Sequence, residues 1–436
     1  MKKKIEIGLF LVLIFCFISF YFLIFNVLPA SFSIIKGNES TIPLDFPFNL
    51  YIKGEENTNL ELNGKVIGND YFRLNSGSPL RIRGKNVGTA SLDFKLFGWL
   101  PLRTIKVNVL PDIDVFPGGQ AIGVLLRSKG VMVVGRSFVE SSDGHRYYPA
   151  QEAGIEVGDV IIAVNGKEIN DKVRLASIIR RTAEKGQSLN FKIKDRRGVI
   201  KNIRISPVKN KQGIYMIGLY VDDGVAGVGT LTFYEPESGE FGALGHEITE
   251  ANTQTRIEVR EGKIIEAQIS GINSGKKGLP GEKLGTFFQT DNILGEIKDN
   301  NKFGIFGILN KKPVNPFFRK PIPVAPISQV KPGPAKIYTV VDGGKIEEFD
   351  INIDRVYRQS YPDSKGLIIT ITDPYLKKMT GGIIQGMSGS PIVQKNQLVG
   401  AITHVFVNEP TRGYGVFAEW MLLQTDIYST ARASNY

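Results

Sequence analysis

The sequence predicts a mainly β protein of several domains, set behind an N-terminal transmembrane helix. Three observations carry this reading. Short alternating or β-branched apolar stretches recur along most of the chain, broken by turn signals such as Asn63-Gly64 and Ser76-Gly77, and glycine is abundant, with 48 among 436 residues. Helical patterning in the body is confined to an amphipathic stretch, Val173 to Thr182, and a terminal segment starting at Glu419. An uncharged apolar run from Ile7 to Phe25 follows Met1-Lys2-Lys3-Lys4, long enough to span a bilayer as a helix.

Composition narrows the function classes. The formal charge is +11 with Lys and Arg spread along the chain, which suits an anionic membrane surface. No nucleic-acid module is recognisable, so no nucleic-acid partner is expected. The one cysteine, Cys16, sits in the apolar run. Disulfides therefore cannot hold the folded part, and a cysteine zinc site is excluded. With three widely separated histidines, neither a metal nor a cofactor is expected.

Taken in order, residues 1–30 read as a Lys-rich cytoplasmic start and a membrane anchor, with the body exported. Pro29-Ala30-Ser31 is a poor signal-peptidase site, which favours a retained anchor over a cleaved leader. Residues 31–112 read as a small, sandwich-like β-domain, its clearest strand being Arg103 to Leu110. Nothing there looks catalytic.

Residues 113–208 carry Ala150-x-x-Ala153-Gly154-Ile155-x-x-Gly158-Asp159-x-Ile161-x-x-Val164-Asn165-Gly166, then the amphipathic helix and two strands. This unit resembles a PDZ domain, an α+β fold. The resemblance implies that Gln120, Ala121, Ile122 and Gly123 form the loop that receives a peptide carboxylate. It also implies that the strand through Val124-Leu125-Leu126 takes an added peptide strand. The other reading of this unit is a PDZ fold used for packing alone.

Beyond a polar hinge at Lys209 to Gly213, residues 213–436 form a long β-rich region with a proline-rich linker from Phe317 to Pro334. Its central stretch is Gly386-Met387-Ser388-Gly389-Ser390-Pro391. Glycines on both sides of Ser388 let the backbone turn and aim N–H groups at one point. The stretch resembles the Gly-Asp-Ser-Gly-Gly-Pro turn of chymotrypsin-like serine peptidases. That implies a double β-barrel, Ser388 as nucleophile, and the N–H groups of Gly386 and Ser388 as the oxyanion hole. A serine needs a base. His246, well upstream of Ser388, is in the expected chain order. His404 follows Ser388 and reads as a core or pocket-wall residue, and His145 as a solvated loop residue. The carboxylate that would orient the base stays open among Asp291, Asp299, Asp342, Asp350, Asp354, Asp363 and Asp373. Asp373 is best placed, because it closes the buried-strand pattern Leu367 to Thr372.

Gly245-His246-x-Ile248-Thr249, Gln385 to Gln394 and Gly400 to Asn408, behind an anchor and a PDZ unit, resemble the SpoIVB family of stage IV sporulation serine peptidases. The resemblance implies the triad His246, Asp373 and Ser388, and self-cleavage. It implies an enzyme made in the forespore and acting in the space between forespore and mother-cell membranes. Its substrate there would be a membrane regulatory protein whose cleavage triggers intramembrane processing of a mother-cell sigma factor precursor. A peptide ligand of the PDZ groove and a protein inhibitor are the other expected partners. Met387 departs from the digestive enzymes, whose Asp at that place receives a new N-terminal amine, so control must come from elsewhere. The rival class is a non-catalytic PDZ scaffold with a degenerate peptidase domain.

Overall fold

The structure is a computed structural model that describes residues 31–42, 48–54, 60–68, 70–286, 292–357, 359 and 362–427, together with six positions between 8 and 28. The expected membrane helix over 7–25 lies largely outside the described residues. Among those described, no helix is long and apolar enough to cross a membrane.

Residues 31–110 form two sheets around one core. Strands Ser31–Ile35, Leu100–Leu110, Gly88–Leu96, Leu50–Gly54 and Phe72–Leu74 make one sheet, and Glu39–Ile42, Leu80–Gly84, Leu60–Leu62 and Lys65–Val66 the other. Alternation decides which side chains enter. Along Gly88–Leu96, Ala90, Leu92, Phe94 and Leu96 are buried and meet Leu80 and Ile82 of the facing sheet. This unit is tied to the C-terminal region at the Ser33 hydroxyl, which donates to Glu419 at 2.7 Å, and at the Ser33 carbonyl, which accepts from Ser328 Oγ at 2.6 Å.

Two strands of sixteen residues, Ala121–Arg136 and Leu219–Tyr234, organise the first barrel and the PDZ unit. They pair antiparallel over most of their length, with a register break between Arg127 and Met132. On one side of the break the pair belongs to a ring of six strands. Ala121–Arg136 pairs with Val259–Glu266, then Ile293–Asn301, Gly304–Leu309 and Glu240–Ala243, and the last returns to Leu219–Tyr234. On the other side the same two strands join the PDZ sheet, in the order 200–205, 189–194, 160–164, 131–136, 219–222. Gly130 sits at the crossover with φ +108, where a Cβ would lie 2.7 Å from Val160. The PDZ unit is thus inserted into the first barrel, and two strands run through both.

That topology corrects two sequence expectations. The PDZ unit does not start at residue 113, because residues 114–127 pair within the barrel region. Gln120, Ala121, Ile122 and Gly123 do not form a carboxylate-binding loop. From Ile122 to Arg127 the strand is paired on both edges, Ile122, Val124 and Leu126 are buried in the barrel core, and Ala121 is buried in the cluster that includes the second barrel's core. No edge is left there for an incoming peptide. The Gly-rich start misled because a loop that opens a barrel strand and one that opens a PDZ strand need the same glycines.

Within the PDZ unit the helix Lys172–Ala183 forms as its spacing predicts, burying Leu175, Ile179 and Ala183. Asp171 caps it by accepting from the N–H groups of Val173 and Arg174 at 2.6 and 3.0 Å. The proline-rich segment crosses to the second barrel, where Ala325 N–H donates to Leu398 O at 2.9 Å. That barrel is closed, in the order Gly333–Val340, Ile346–Val356, Leu367–Ile371, Glu409–Phe417, Gln397–Phe406, Pro391–Gln394.

Candidate active site

His246 and Ser388 face one cleft of about 840 Å³ between the two barrels. Each is delivered by a turn the sequence makes possible. After strand Glu240–Ala243 the chain takes φ +69 at Leu244 and φ +74 at Gly245, which swings His246 out to the rim. A Cβ on Gly245 would lie 2.9 Å from Thr403 Cγ2 and 3.1 Å from Val416 Cγ1, so glycine is what allows the two barrels to approach here. Asn300 holds the next loop. Its Oδ1 accepts from Ile248 N–H at 2.8 Å, and its Nδ2 donates to the carbonyls of Ile248 and Ile257, both at 2.9 Å.

The imidazole of His246 is fixed by its own neighbour's backbone. Nδ1 lies 2.8 Å from Glu247 O. A carbonyl accepts only, so Nδ1 carries the proton and Nε2 is left with its lone pair. Burial holds the His246 pKa below the ordinary 6.5, against a smaller upward pull from that bond and from the Glu247 charge. His404 stands beside it, ring centroids 5.0 Å apart. Desolvation, then repulsion from His246 and Lys365, bring its pKa down to about 4. Both rings are therefore neutral at pH 7. His404 is a wall of this cleft, one of the two positions its sequence context allowed.

Ser388 sits at the apex of a turn with φ +89 at Gly386 and φ +92 at Gly389. Its Oγ donates to Thr403 O at 2.8 Å, so the hydroxyl proton rests on a carbonyl and must turn to reach a base. The N–H groups of Gly386 and Ser388 have no hydrogen-bond partner among the described residues. The planes carrying them are pinned from behind. Gln385 O accepts from Lys283 N–H at 2.9 Å. Met387 O accepts from Ser390 N–H at 2.9 Å and from Ser390 Oγ at 2.7 Å. Carbonyls held away leave the opposite N–H groups of the same peptide planes free, as an oxyanion hole requires.

Asp373 does not join this cluster. It is the N-cap of the helix Pro374–Thr380, its Oδ1 accepting from Leu376 N–H at 2.8 Å, and no hydrogen bond or ion pair links it to His246 or His404. The strand-end position that favoured Asp373 is also the position from which a carboxylate caps the next helix. The group that orients His246 is instead the Glu247 carbonyl, which no side-chain motif could reveal.

One more group escaped the sequence reading. Lys283 is buried beneath the turn, where a Cβ on Gly386 would lie 3.0 Å from Lys283 Cβ. Its Nζ donates to Thr339 Oγ1 at 2.7 Å, and burial brings its pKa down to about 7. Met387, where an amine-receiving Asp would stand, is fully buried in the second barrel's core. No cluster of side chains suited to a metal occurs among the described residues.

Residues 213–422 match the family model for SpoIVB peptidase S55, and residues 141–194 match that for a PDZ domain. Among solved structures, the chain is similar to the active form of the Rv3671c protease from M. tuberculosis at 12% identity, covering 47% of this chain and 74% of that one, with a TM-score of 0.25. The inactive form of the Rv3671c protease gives 13% identity, 45% and 83% coverage and a TM-score of 0.24. Likenesses that slight transfer no residue from one chain to the other. No curated protein matches.

Proposed function

We propose that this chain, a serine endopeptidase carrying a SpoIVB peptidase S55 domain and a PDZ domain, uses Ser388 as nucleophile, His246 as base, and the N–H groups of Gly386 and Ser388 as oxyanion hole. The observation that carries the reading is Ser388 in a turn with two unpartnered N–H groups, facing the same cleft as a histidine whose Nε2 is free. Ser388 Oγ turns from Thr403 O, passes its proton to His246 Nε2 and attacks the scissile carbonyl. The oxygen of the tetrahedral intermediate is held by the two N–H groups. His246 then protonates the leaving amine, and water releases the acyl group by the same steps in reverse order. Neutral His404 adds no charge that would oppose protonation of His246.

The test is cleavage of a peptide by the full chain in detergent, with and without Ser388→Ala. The expected loss is roughly 10⁴-fold or more. Turnover close to that of the parent in the Ser388→Ala chain sinks the assignment, and with no turnover in either the scaffold reading takes over.

The biological setting rests on resemblance to the SpoIVB family. The enzyme is anchored by its N-terminal segment, with its body in the space between forespore and mother-cell membranes. There it cleaves itself and a membrane regulatory protein, and so releases intramembrane processing of a mother-cell sigma factor precursor. Normal processing in sporulating cells that carry Ser388→Ala would end this proposal. A peptide ligand or protein inhibitor of the PDZ unit would be taken not at Gln120–Gly123 but on the strand Leu219–Asp222. Among the described residues that strand is paired on one side only, with 132–136, and Lys172 of the helix reaches it through Asp222 at 2.9 Å.

A further inference from the structure

The nucleophile turn is gripped along its length by a strand of the other barrel. Thr230 N–H donates to Ser388 O at 3.0 Å. Thr230 Oγ1 donates to Gly386 O at 2.8 Å, and Thr232 Oγ1 to Gly389 O at 2.8 Å. The two threonines, two positions apart, point to the same face of their strand, and neither is exposed. The fit is close, since a Cβ on Gly389 would lie 2.1 Å from Thr230 O. Among the described residues, no other group donates to the carbonyls of Gly386 and Gly389.

We propose that Thr230 and Thr232 are positioning residues of the oxyanion hole, holding the carbonyls on either side of Ser388 so that the N–H groups stay aimed into the cleft. A carbonyl deprived of its donor must find water or bear the cost of being buried alone. Gly386 lines the open cleft, and having no side chain it resists rotation little. Once Thr230 lacks its hydroxyl, the Gly386 carbonyl turns toward the cleft and its plane draws the Met387 N–H off Ile384 O, to which it donates at 3.1 Å; the two flanking planes, which carry the Gly386 and Ser388 N–H groups, then lose the fixed segment between them and their aim. The strand responsible starts as the outer strand of the PDZ sheet at Leu219, so the inserted domain and the catalytic turn share one continuous backbone.

This inference rests on the serine-peptidase reading, and the experiment separates the two. Thr230→Val keeps the shape and removes the donor, whereas Thr230→Ser restores it. For the parent chain, both variants and Thr232→Val, the measurements are kcat, KM and the affinity of a peptide aldehyde, whose tetrahedral adduct places an oxyanion in the hole. Thermal midpoints fix a temperature at which all are folded. Loss of one hole donor lowers kcat by roughly 10²- to 10³-fold, so a misaimed donor in Thr230→Val is expected to lower it by about 10- to 100-fold. KM should stay within about twofold, the aldehyde should weaken by the same factor as kcat, and Thr230→Ser should recover to within about threefold. Should Thr230→Val fail to fold, Thr230→Cys, a weaker donor of similar size, takes its place with a smaller loss expected in kcat and aldehyde affinity alike. A full kcat in Thr230→Val, a loss that Ser does not rescue, or a loss in KM alone overturns the inference. Parent activity that survives Ser388→Ala overturns the underlying reading instead.

Discussion

Replacing Lys283 by methionine tests whether the buried charge under the nucleophile turn opposes folding. Lys283 is 5% exposed, and among the described residues its ammonium has one hydrogen-bond partner, the hydroxyl of Thr339, and no carboxylate contributes to its pKa. Lowering that pKa from 10.5 to about 7 means the charged form costs the fold on the order of 5 kcal/mol. Between pH 7 and 10.5 the unfolded chain holds the proton and the folded chain has released it, so stability rises with pH across that window. From pH 7 to 9 the parent should gain about 3 kcal/mol from this group, at about 1.4 kcal/mol per pH unit. Lys283→Met keeps the stem against Gly386 and lacks the charge. It also strips Thr339, which is fully buried, of its partner, at about 1–3 kcal/mol. At pH 6 the variant should be more stable than its parent by about 2–4 kcal/mol, and it should lack this part of the rise toward pH 9. The assay is urea unfolding of the full chain in detergent, in a Ser388→Ala background to prevent self-cleavage. Trp420, 5% exposed at the second barrel, serves as the fluorescent reporter. A variant less stable than its parent at pH 6, or one with an unchanged rise to pH 9, refutes the reasoning.

The site itself makes two further outcomes testable. Because burial favours the neutral form of His246, the acid limb of the kcat/KM profile should have its midpoint below the ordinary 6.5, activity being lost as pH falls through it. His404→Ala should keep that limb, whereas His246→Ala should be as inactive as Ser388→Ala. A limb centred at pH 7 or higher, or one that disappears with His404, would show the base to be misassigned. For Asp373, which caps a helix and has no bond to either imidazole, substitution by Asn keeps a capping oxygen and should leave kcat within a few-fold. A loss near 10⁴-fold, roughly the scale expected when a triad aspartate becomes an amide, would restore Asp373 to the catalytic set.

Much of the site was readable in the chain because local chemistry demands particular residues. Ser388 needs glycines on both sides to take its turn, and His246 needs Gly245 to pass Thr403 and Val416. Both demands leave short strings in the sequence, as does the apolar spacing of the helix Lys172–Ala183. What orients each group was decided elsewhere. The Glu247 carbonyl behind His246 and the Lys283 N–H behind the proposed oxyanion hole are backbone groups, which every residue carries and no motif marks. Thr230 and Thr232 meet the turn from far along the chain, through the packing of one barrel against the other. The insertion of the PDZ unit was invisible for a related reason. A strand pattern such as Val124-Leu125-Leu126 records that the chain is extended, but not how far back the strand starts or which neighbours cover its two edges. Edge pairing is a property of the assembled sheet, so the sequence by itself determined the domain types, the glycine-flanked turn of Ser388 and the rim histidine proposed as its base, and the tertiary structure decided which strands the two domains share and which groups hold the serine in place.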